Sequence, residues 1–319
     1  MRCSFNKTTS ILLALILLPV SACSDESKGW ELLPSTPTPR TESAVVNHEG
    51  KIYLLGGWTS SGISNEVEAY DPKTGKWSDV PPMPLAVHHT AAVSTHGKLY
   101  VVGGFSTAGL TPVNKIFAFD SATRQWTEPA PMPTGRGALA LGVIDGKIYA
   151  VGGTLKESNH IKNTGANEVY DPKTDQWKKL APLPTPRDHL TVSVADGKLY
   201  AIGGRFLFNA DRKLNANEAY DPETDQWQAR RPLPTARSGI TSQFLNGKIY
   251  VFGGETRQKT FDENEAYDPK TNQWQAMPPM PKAVHGLGSA VVDGKIHLLN
   301  GGPRPGGGGS KYHQVFTPQ

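Results

Sequence analysis

The chain is almost without cysteine. Its 319 residues contain two, Cys3 and Cys23, so the body beyond residue 23 has neither a disulfide nor a thiol nucleophile. It also lacks an excess of one charge: 33 Lys and Arg stand against 29 Asp and Glu, a formal +4. Setting aside the first 22 residues removes Arg2 and Lys7 and leaves +2, a balance that argues against a nucleic-acid surface. Long apolar runs are missing too. The run Ile11 to Leu18 has eight residues, too few to cross a bilayer as a helix, and no window of the remainder carries a convincing helical period.

What the chain does have is repetition. Glycine pairs stand at Gly56-Gly57, Gly103-Gly104, Gly152-Gly153, Gly203-Gly204, Gly253-Gly254 and Gly301-Gly302, spaced 47, 49, 51, 50 and 48 residues apart. A period near fifty marks a repeat array. Trp30, Trp77, Trp126, Trp177, Trp227 and Trp274 keep the same beat, as do Tyr70, Phe119, Tyr170, Tyr220, Tyr267 and Phe316. In the copy from Arg187 to Leu233, short β-forming runs lie at Leu190 to Val194, Leu199 to Ile202, Glu218 to Tyr220 and Trp227 to Ala229. A residue followed by Gly-Lys separates the first two runs of every copy, as in Asp196-Gly197 and Asn246-Gly247, and suits a two-residue hairpin with positive φ. Asp-Pro, as in Asp171-Pro172 and Asp221-Pro222, opens the turn between the third and fourth runs. Each copy therefore reads as a four-stranded antiparallel meander; one such sheet cannot bury both its faces alone, but six arranged radially can pack face to face about an axis.

The repeated unit resembles the Kelch motif, and the resemblance implies an all-β, six-bladed Kelch β-propeller spanning residues 30–319. The first copy supplies only a fourth strand, Trp30 to Leu33, and the last stops after its third, Tyr312 to Thr317. The family's mode of closure, in which an N-terminal strand completes the C-terminal blade, fits both ends and covers an open sheet edge.

Residues 1–22 read as an export leader: basic residues, the apolar run, then the small residues Ser21 and Ala22. Val20-Ser21-Ala22-Cys23 is similar to a bacterial lipobox, which implies lipidation of Cys23 and a tether over 23–29. The expected location is outside the cytoplasm, anchored in a membrane, with Ser24 favouring the outer membrane. Residues Pro303 to Ser310, with the Gly306 to Gly309 run, read as a flexible connection.

Candidate site residues follow from the meander. The end of its second strand lies beside the start of its first, on the face opposite the invariant Gly-Lys hairpins, and variation concentrates on that face. The residues after the glycine pairs are Trp58, Phe105, Thr154, Arg205, Glu255 and Pro303; fourteen residues before each pair stand Glu42, His89, Ala138, His189, Gly239 and Leu287; one step earlier stand Thr41, His88, Gly137, Asp188, Ser238 and Gly286. Trp58, Phe105, Arg205, Glu255, Glu42, His89, Asp188 and His189 are accordingly expected to share one mouth and bind a ligand. Trp58 and Phe105 are suited to stacking on a sugar or an apolar side chain, and Arg205 and Glu255 to charged groups. Arg40, Arg136, Arg187 and Arg237 recur too regularly for a specific site and read as inter-blade ion pairs or hydrogen bonds. His89, His189 and His285 with Glu42 or Asp188 suggest a metal set, but no spacing motif supports it, so neither a metal nor a cofactor is expected.

The expected function is a binding module for a protein, peptide or glycan. A second reading is a carbohydrate enzyme, since Gly253-Gly254-Glu255 with Arg257 resembles the sialic acid (N-acetylneuraminate) mutarotase family. That resemblance implies Glu255 as acid or base and Arg257 or Arg205 as the carboxylate clamp. An enzyme should converge a carboxylate, a base and a clamp in one pocket, whereas a binder should spread its contacts.

Overall fold

A computed structural model describes residues 29–158 and 160–318. The leader, the lipobox and Cys23 lie outside these residues. Six four-stranded antiparallel sheets form the blades of a ring. Blade one comprises Ala44–His48, Lys51–Leu55, Val67–Asp71 and Lys76–Val80. Blade four, the copy read above, comprises Thr191–Ala195, Lys198–Ile202, Asn217–Asp221 and Gln226–Ala229, within one residue of the expected runs. No described residue is helical. Both residues of each Gly-Lys hairpin take positive φ, for example 49° at Asp196 and 71° at Gly197, which matches the turn to the strand twist.

Blade six closes the ring. Gly288–Val292, Lys295–Leu299 and His313–Phe316 are joined by Trp30–Leu32, with Trp30 opposite Phe316, Glu31 opposite Val315 and Leu32 opposite Gln314. The six repeat tryptophans are packing parts. Each lies against the aromatic residue facing it across the last hairpin, with centroids from 4.8 to 5.2 Å apart. Trp126, Trp177, Trp227, Trp274 and Trp30 also donate their indole N–H to a carbonyl between blades, at 2.8 to 3.0 Å.

The arginine column does two jobs. The guanidinium of Arg187 is fully buried and bonds Glu218 of its own blade at 2.5 Å and the Gly203 carbonyl at 2.6 Å. Arg136 with Glu168, Arg237 with Glu265 and Arg40 with Glu68 repeat the pairing. The ion pairs thus lie within one blade. The joint between blades is made by the backbone, because the Arg187 carbonyl accepts the Gly153 N–H of the preceding blade at 2.9 Å. This close approach is why glycine stands there: a Cβ on Gly103 would lie 2.5 Å from the Arg136 carbonyl.

Blade six corrects the column assignment. Asn300 has φ 60° and Gly301 has φ 91°, matching Gly56 at 60° and Gly57 at 92°. The structural pair is therefore Asn300-Gly301, one residue before the apparent one. The columns shift with it: Gly302 replaces Pro303, Gly286 replaces Leu287, and His285 replaces Gly286 in the column holding His88 and Asp188. The constant distance from each Gly-Lys hairpin to its glycine pair carries this register, and asparagine follows glycine in tolerating positive φ.

Candidate functional site

The strand geometry puts the two mouth columns side by side. Isolated bridges join Thr41 to Trp58, His88 to Phe105, Gly137 to Thr154, Asp188 to Arg205, Ser238 to Glu255 and His285 to Gly302. The next residue of each blade, Glu42, His89, Ala138, His189, Gly239 and Gly286, has φ between 52° and 68°. Their amides form a closed circle. Glu42 N–H donates to Gly286 O, His89 to Glu42, Ala138 to His89, His189 to Ala138, Gly239 to His189 and Gly286 to Gly239, all at 2.8 to 3.1 Å. Each bond crosses from one blade to the next, so the circle fixes the neck of the channel. It holds four non-glycine residues in a left-handed conformation that is uncommon for them, and such strain collects at functional sites.

Side chains are distributed unevenly around this neck. Glu42, His89 and His189 carry chemistry, while Ala138, Gly239 and Gly286 leave space. A Cβ on Gly286 would meet Glu42 Oε1 at 2.3 Å, so the glycine is what admits the carboxylate.

Above the neck lies a pocket of about 800 Å³ whose lining includes Trp58, His88, Leu110, Phe208, Arg205 and Glu255. Arg205 is its hub. Nη1 donates to Glu255 Oε1 at 2.6 Å, Nη2 to His189 Nε2 at 2.7 Å, and Nε lies 3.5 Å from Asp188 Oδ1. The guanidinium also sits 5.7 Å from the centroid of the Phe208 ring. Asp188, fully buried, accepts a bond from His189 Nδ1 at 2.6 Å and others from Asn163 at 2.6 Å and Thr154 at 3.1 Å. Burial works against its charge, but His189, Asn163 and Arg205 outweigh it and lower its pKa.

His285 links the two remaining carboxylates. Its Nε2–H donates to the Arg304 carbonyl at 3.0 Å, and its Nδ1 stands 3.5 Å from both Glu42 Oε1 and Glu255 Oε2. Burial disfavours the imidazolium, yet the flanking Glu42 and Glu255 prevail and raise its pKa. Glu42 is correspondingly held well below the usual carboxylate range, the surrounding imidazoles overcoming its burial. Burial lowers the pKa of His89, which stands 3.5 Å from Glu42 Oε2.

The loop expected to be a slack connection is folded over this site. Gly306 N–H donates to Glu255 Oε2 at 2.7 Å, and Ser310 bonds Gly301 and Arg40 through its backbone. The carboxylate and His285 give the loop fixed partners. A Cβ on Gly309 would lie 2.8 Å from Arg40 N, so its glycine serves close approach.

Five of the eight expected ligand residues, Glu42, Trp58, His89, Arg205 and Glu255, line the pocket, while His189 and Asp188 stand buried behind it, His189 bonded to Arg205 and Asp188 to His189. Phe105 does not fit that picture. It is fully buried, packed on His88 and His89 and lying where a Gly137 side chain would be; it supports the imidazoles from below and cannot stack on a ligand. Trp58, half-buried and 4.6 Å from the His88 ring, keeps a face on the pocket. Arg257 lies at the exposed rim, 3.2 Å from Asp211. Phe208 was not foreseen. It comes from the hairpin Arg205–Phe206 with Asn209–Lys213; hairpins also follow the glycine pair in blades one and three, Trp58–Thr59 with Gly62–Ile63 and Thr154–Glu157 with His160–Asn163, but they differ in length and neither carries a phenylalanine.

Comparison with known proteins agrees with this architecture. The model of the KLHDC2/KLHL20/DRC7 Kelch-repeats domain matches residues 20–153, 79–232 and 138–316. The chain belongs to the Kelch-repeat family. Curated relatives include Kelch-like ECH-associated protein 1A of Danio rerio, 51% identical over 41 residues (13% of this chain and 7% of that protein). Alpha-scruin of Limulus polyphemus is 35% identical over 68 residues (19% of this chain and 7% of that protein). The chain thus matches less than a tenth of the length of either relative. Among solved structures, "Structure of YjhT" superposes with a TM-score of 0.78 at 16% identity, covering 90% of this Kelch chain and 97% of that one; at that identity the likeness is one of fold.

Proposed function

We propose that this Kelch propeller is an exported, membrane-anchored protein that binds a compact polar ligand of the glycan class in the pocket at the channel mouth. The observation that carries the reading is a pocket lined by both aromatic faces and fixed polar groups in which, among the described residues, no free clamp joins the carboxylate and the base, Arg205 being committed to its neighbours and Arg257 lying at the exposed rim. Arg205, Glu255 and His285 come from three successive blades and meet within hydrogen-bond or ion-pair distance around one pocket. Trp58 and Phe208 add apolar faces to the same lining. Sugars are recognised by this combination of aromatic faces and fixed polar groups, whereas a broad protein interface spreads its contacts over a larger surface. The leader over 1–22 and the lipobox ending at Cys23 support export and anchoring. A thermal-shift screen against neutral sugars, N-acetylneuraminate and short peptides tests the reading, because a ligand selective for the native state raises the melting temperature. Stabilisation by peptides alone would refute the glycan assignment.

A second reading, ring-opening of a sugar acid in the manner of a mutarotase, is favoured by Glu255 directly after the glycine pair of blade five with His285 3.5 Å away. Opening a hemiacetal requires removal of the anomeric hydroxyl proton and protonation of the ring oxygen. Glu255 supplies the acceptor and His285 the donor. The carboxylate clamp in this reading is Arg257 at the rim, since the guanidinium of Arg205 is already committed to Glu255, His189 and Asp188. Faster exchange between sugar anomers, followed by NMR with and without the protein, tests it; exchange at the uncatalysed rate refutes it.

A further inference from the structure

We infer that Glu42, His89 and His189 form a binding site for a divalent transition-metal cation at the neck of the channel. Sequence spacing offered no such site, because the three residues lie in different blades and are brought together only by the amide circle that fixes the neck. One carboxylate oxygen and two imidazole nitrogens lie within 4.8 Å of one another there.

The hydrogen bonds behind the imidazoles aim them inward. Asp188 Oδ1 holds His189 Nδ1 at 2.6 Å, which places the proton on Nδ1 and leaves the Nε2 lone pair facing the neck. The Thr107 carbonyl can only accept, so His88 donates to it through Nε2–H at 3.2 Å and presents Nδ1 as an acceptor. His89 then donates its own Nδ1–H to His88, the two nitrogens being 2.5 Å apart, and its Nε2 lone pair faces Glu42 Oε2 at 3.5 Å. Two electron-pair donors face each other across a gap that a cation would fill. Metal-bound histidines are oriented by this kind of outer hydrogen bond, to a carboxylate in one case and through a second polar group in the other.

Two imidazoles and a carboxylate suit zinc, cobalt, iron or manganese rather than magnesium, which prefers oxygen donors and water. Metal-to-ligand distances of about 2.1 Å require these side chains to draw in by about an ångström. One further exchange is required. Arg205 Nη2 now donates to the His189 Nε2 lone pair at 2.7 Å, and the metal must displace it while Nη1 keeps Glu255. Arg205 is therefore a competitor of the metal, which distinguishes this site from adventitious binding elsewhere on the protein.

The test is titration of the tag-free, chelator-treated protein with Zn²⁺ and Co²⁺ by calorimetry, with Co²⁺ also followed by its visible absorption and Mg²⁺ as the oxygen-preferring comparison. One equivalent of Zn²⁺ or Co²⁺ is expected to bind, with Mg²⁺ failing to compete. His89→Ala and Glu42→Gln should abolish or strongly weaken binding, Asp188→Asn should weaken it about 10- to 100-fold, and Arg205→Ala should hold or increase it. Melting curves of each variant identify any that fail to fold, and the Arg205→Ala result reads the site independently of the ligand variants. No stoichiometric binding of either metal would overturn the inference. So would binding indifferent to His89→Ala and Glu42→Gln, or weakened by Arg205→Ala. None of these results bears on whether a glycan occupies the pocket above.

Discussion

The seam where the ring closes should be its acid-sensitive joint. In five blades the third residue after the Gly-Lys glycine is a tyrosine, namely Tyr53, Tyr100, Tyr149, Tyr200 and Tyr250; in blade six it is His297. His297 Nδ1 lies 2.9 Å from His313 Nε2, both rings are buried, and Tyr70 of blade one packs edge-on against His313 at 4.8 Å. Burial lowers His297 to about 4. Burial, with His297 beside it, lowers His313 to about 3. Both imidazoles are therefore neutral in the folded protein at pH 5, whereas in the unfolded chain they take up protons as the pH falls below 6.5. The stability they preserve is present in full above pH 6.5 and is lost as the pH falls toward 4. Between pH 7 and pH 5 each contributes a loss of about 1.8 kcal/mol, about 3.5 kcal/mol for the pair, before discounting their mutual coupling. The perturbation is the double variant His297→Leu/His313→Leu, which keeps an apolar filling under Tyr70. Urea unfolding followed by tryptophan fluorescence at pH 7 and pH 5 gives the two stabilities. The wild type should lose about 2 to 3.5 kcal/mol more than the double variant across this interval. Equal losses in the two proteins would refute the reasoning.

Removing the carboxylate from a buried arginine pair by Glu218→Ala leaves Arg187 uncompensated and should cost about 3 to 5 kcal/mol in urea unfolding. Gly103→Ala forces a Cβ against the Arg136 carbonyl and should cost about 2 kcal/mol or more, whereas Gly197→Ala, at a similar φ but with open space around it, should cost about 1 kcal/mol. Trp30→Ala removes the indole that packs on Phe316 and Phe252 and should destabilise the ring by about 3 to 5 kcal/mol. Cys23→Ala should move the protein from the membrane fraction to the soluble exported fraction, with the acyl chain on the parent checked by mass spectrometry.

The blades, their hairpins and the closing strand were legible because each is written in local, repeated chemistry: Asp-Gly at the tight turn, Asp-Pro at the wider one, glycine pairs where neighbouring blades touch. The mouth columns were legible for the same reason, since strand pairing alone puts the start of the first strand beside the end of the second. Three features were not. The sixth glycine pair was misplaced because Asn300 does the work of a glycine, and only the distance from Gly294 reveals it. Phe105 was misread as a ligand platform because its burial depends on Gly137 of the next blade, which leaves room for its ring. Arg205 and Glu255 read as groups that meet a charged ligand at the mouth, yet they are 5% and 3% exposed because loops of irregular length, carrying Phe208 and Gly306, close over them. Substitutions there will cost stability as well as binding, which makes the half-buried Trp58 the cleaner probe of the pocket.

The measurement that bears most directly on the central claim is calorimetric titration of the wild type, Trp58→Ala and Glu255→Gln with the sugars that shift the melting temperature. At least one sugar is predicted to bind the wild type with one-to-one stoichiometry. Trp58→Ala should weaken it with little change in melting temperature, and Glu255→Gln should weaken it by about 1.5 to 3 kcal/mol, a charged hydrogen bond being lost. Sugar binding of equal strength in all three proteins would place the ligand elsewhere and contradict the account.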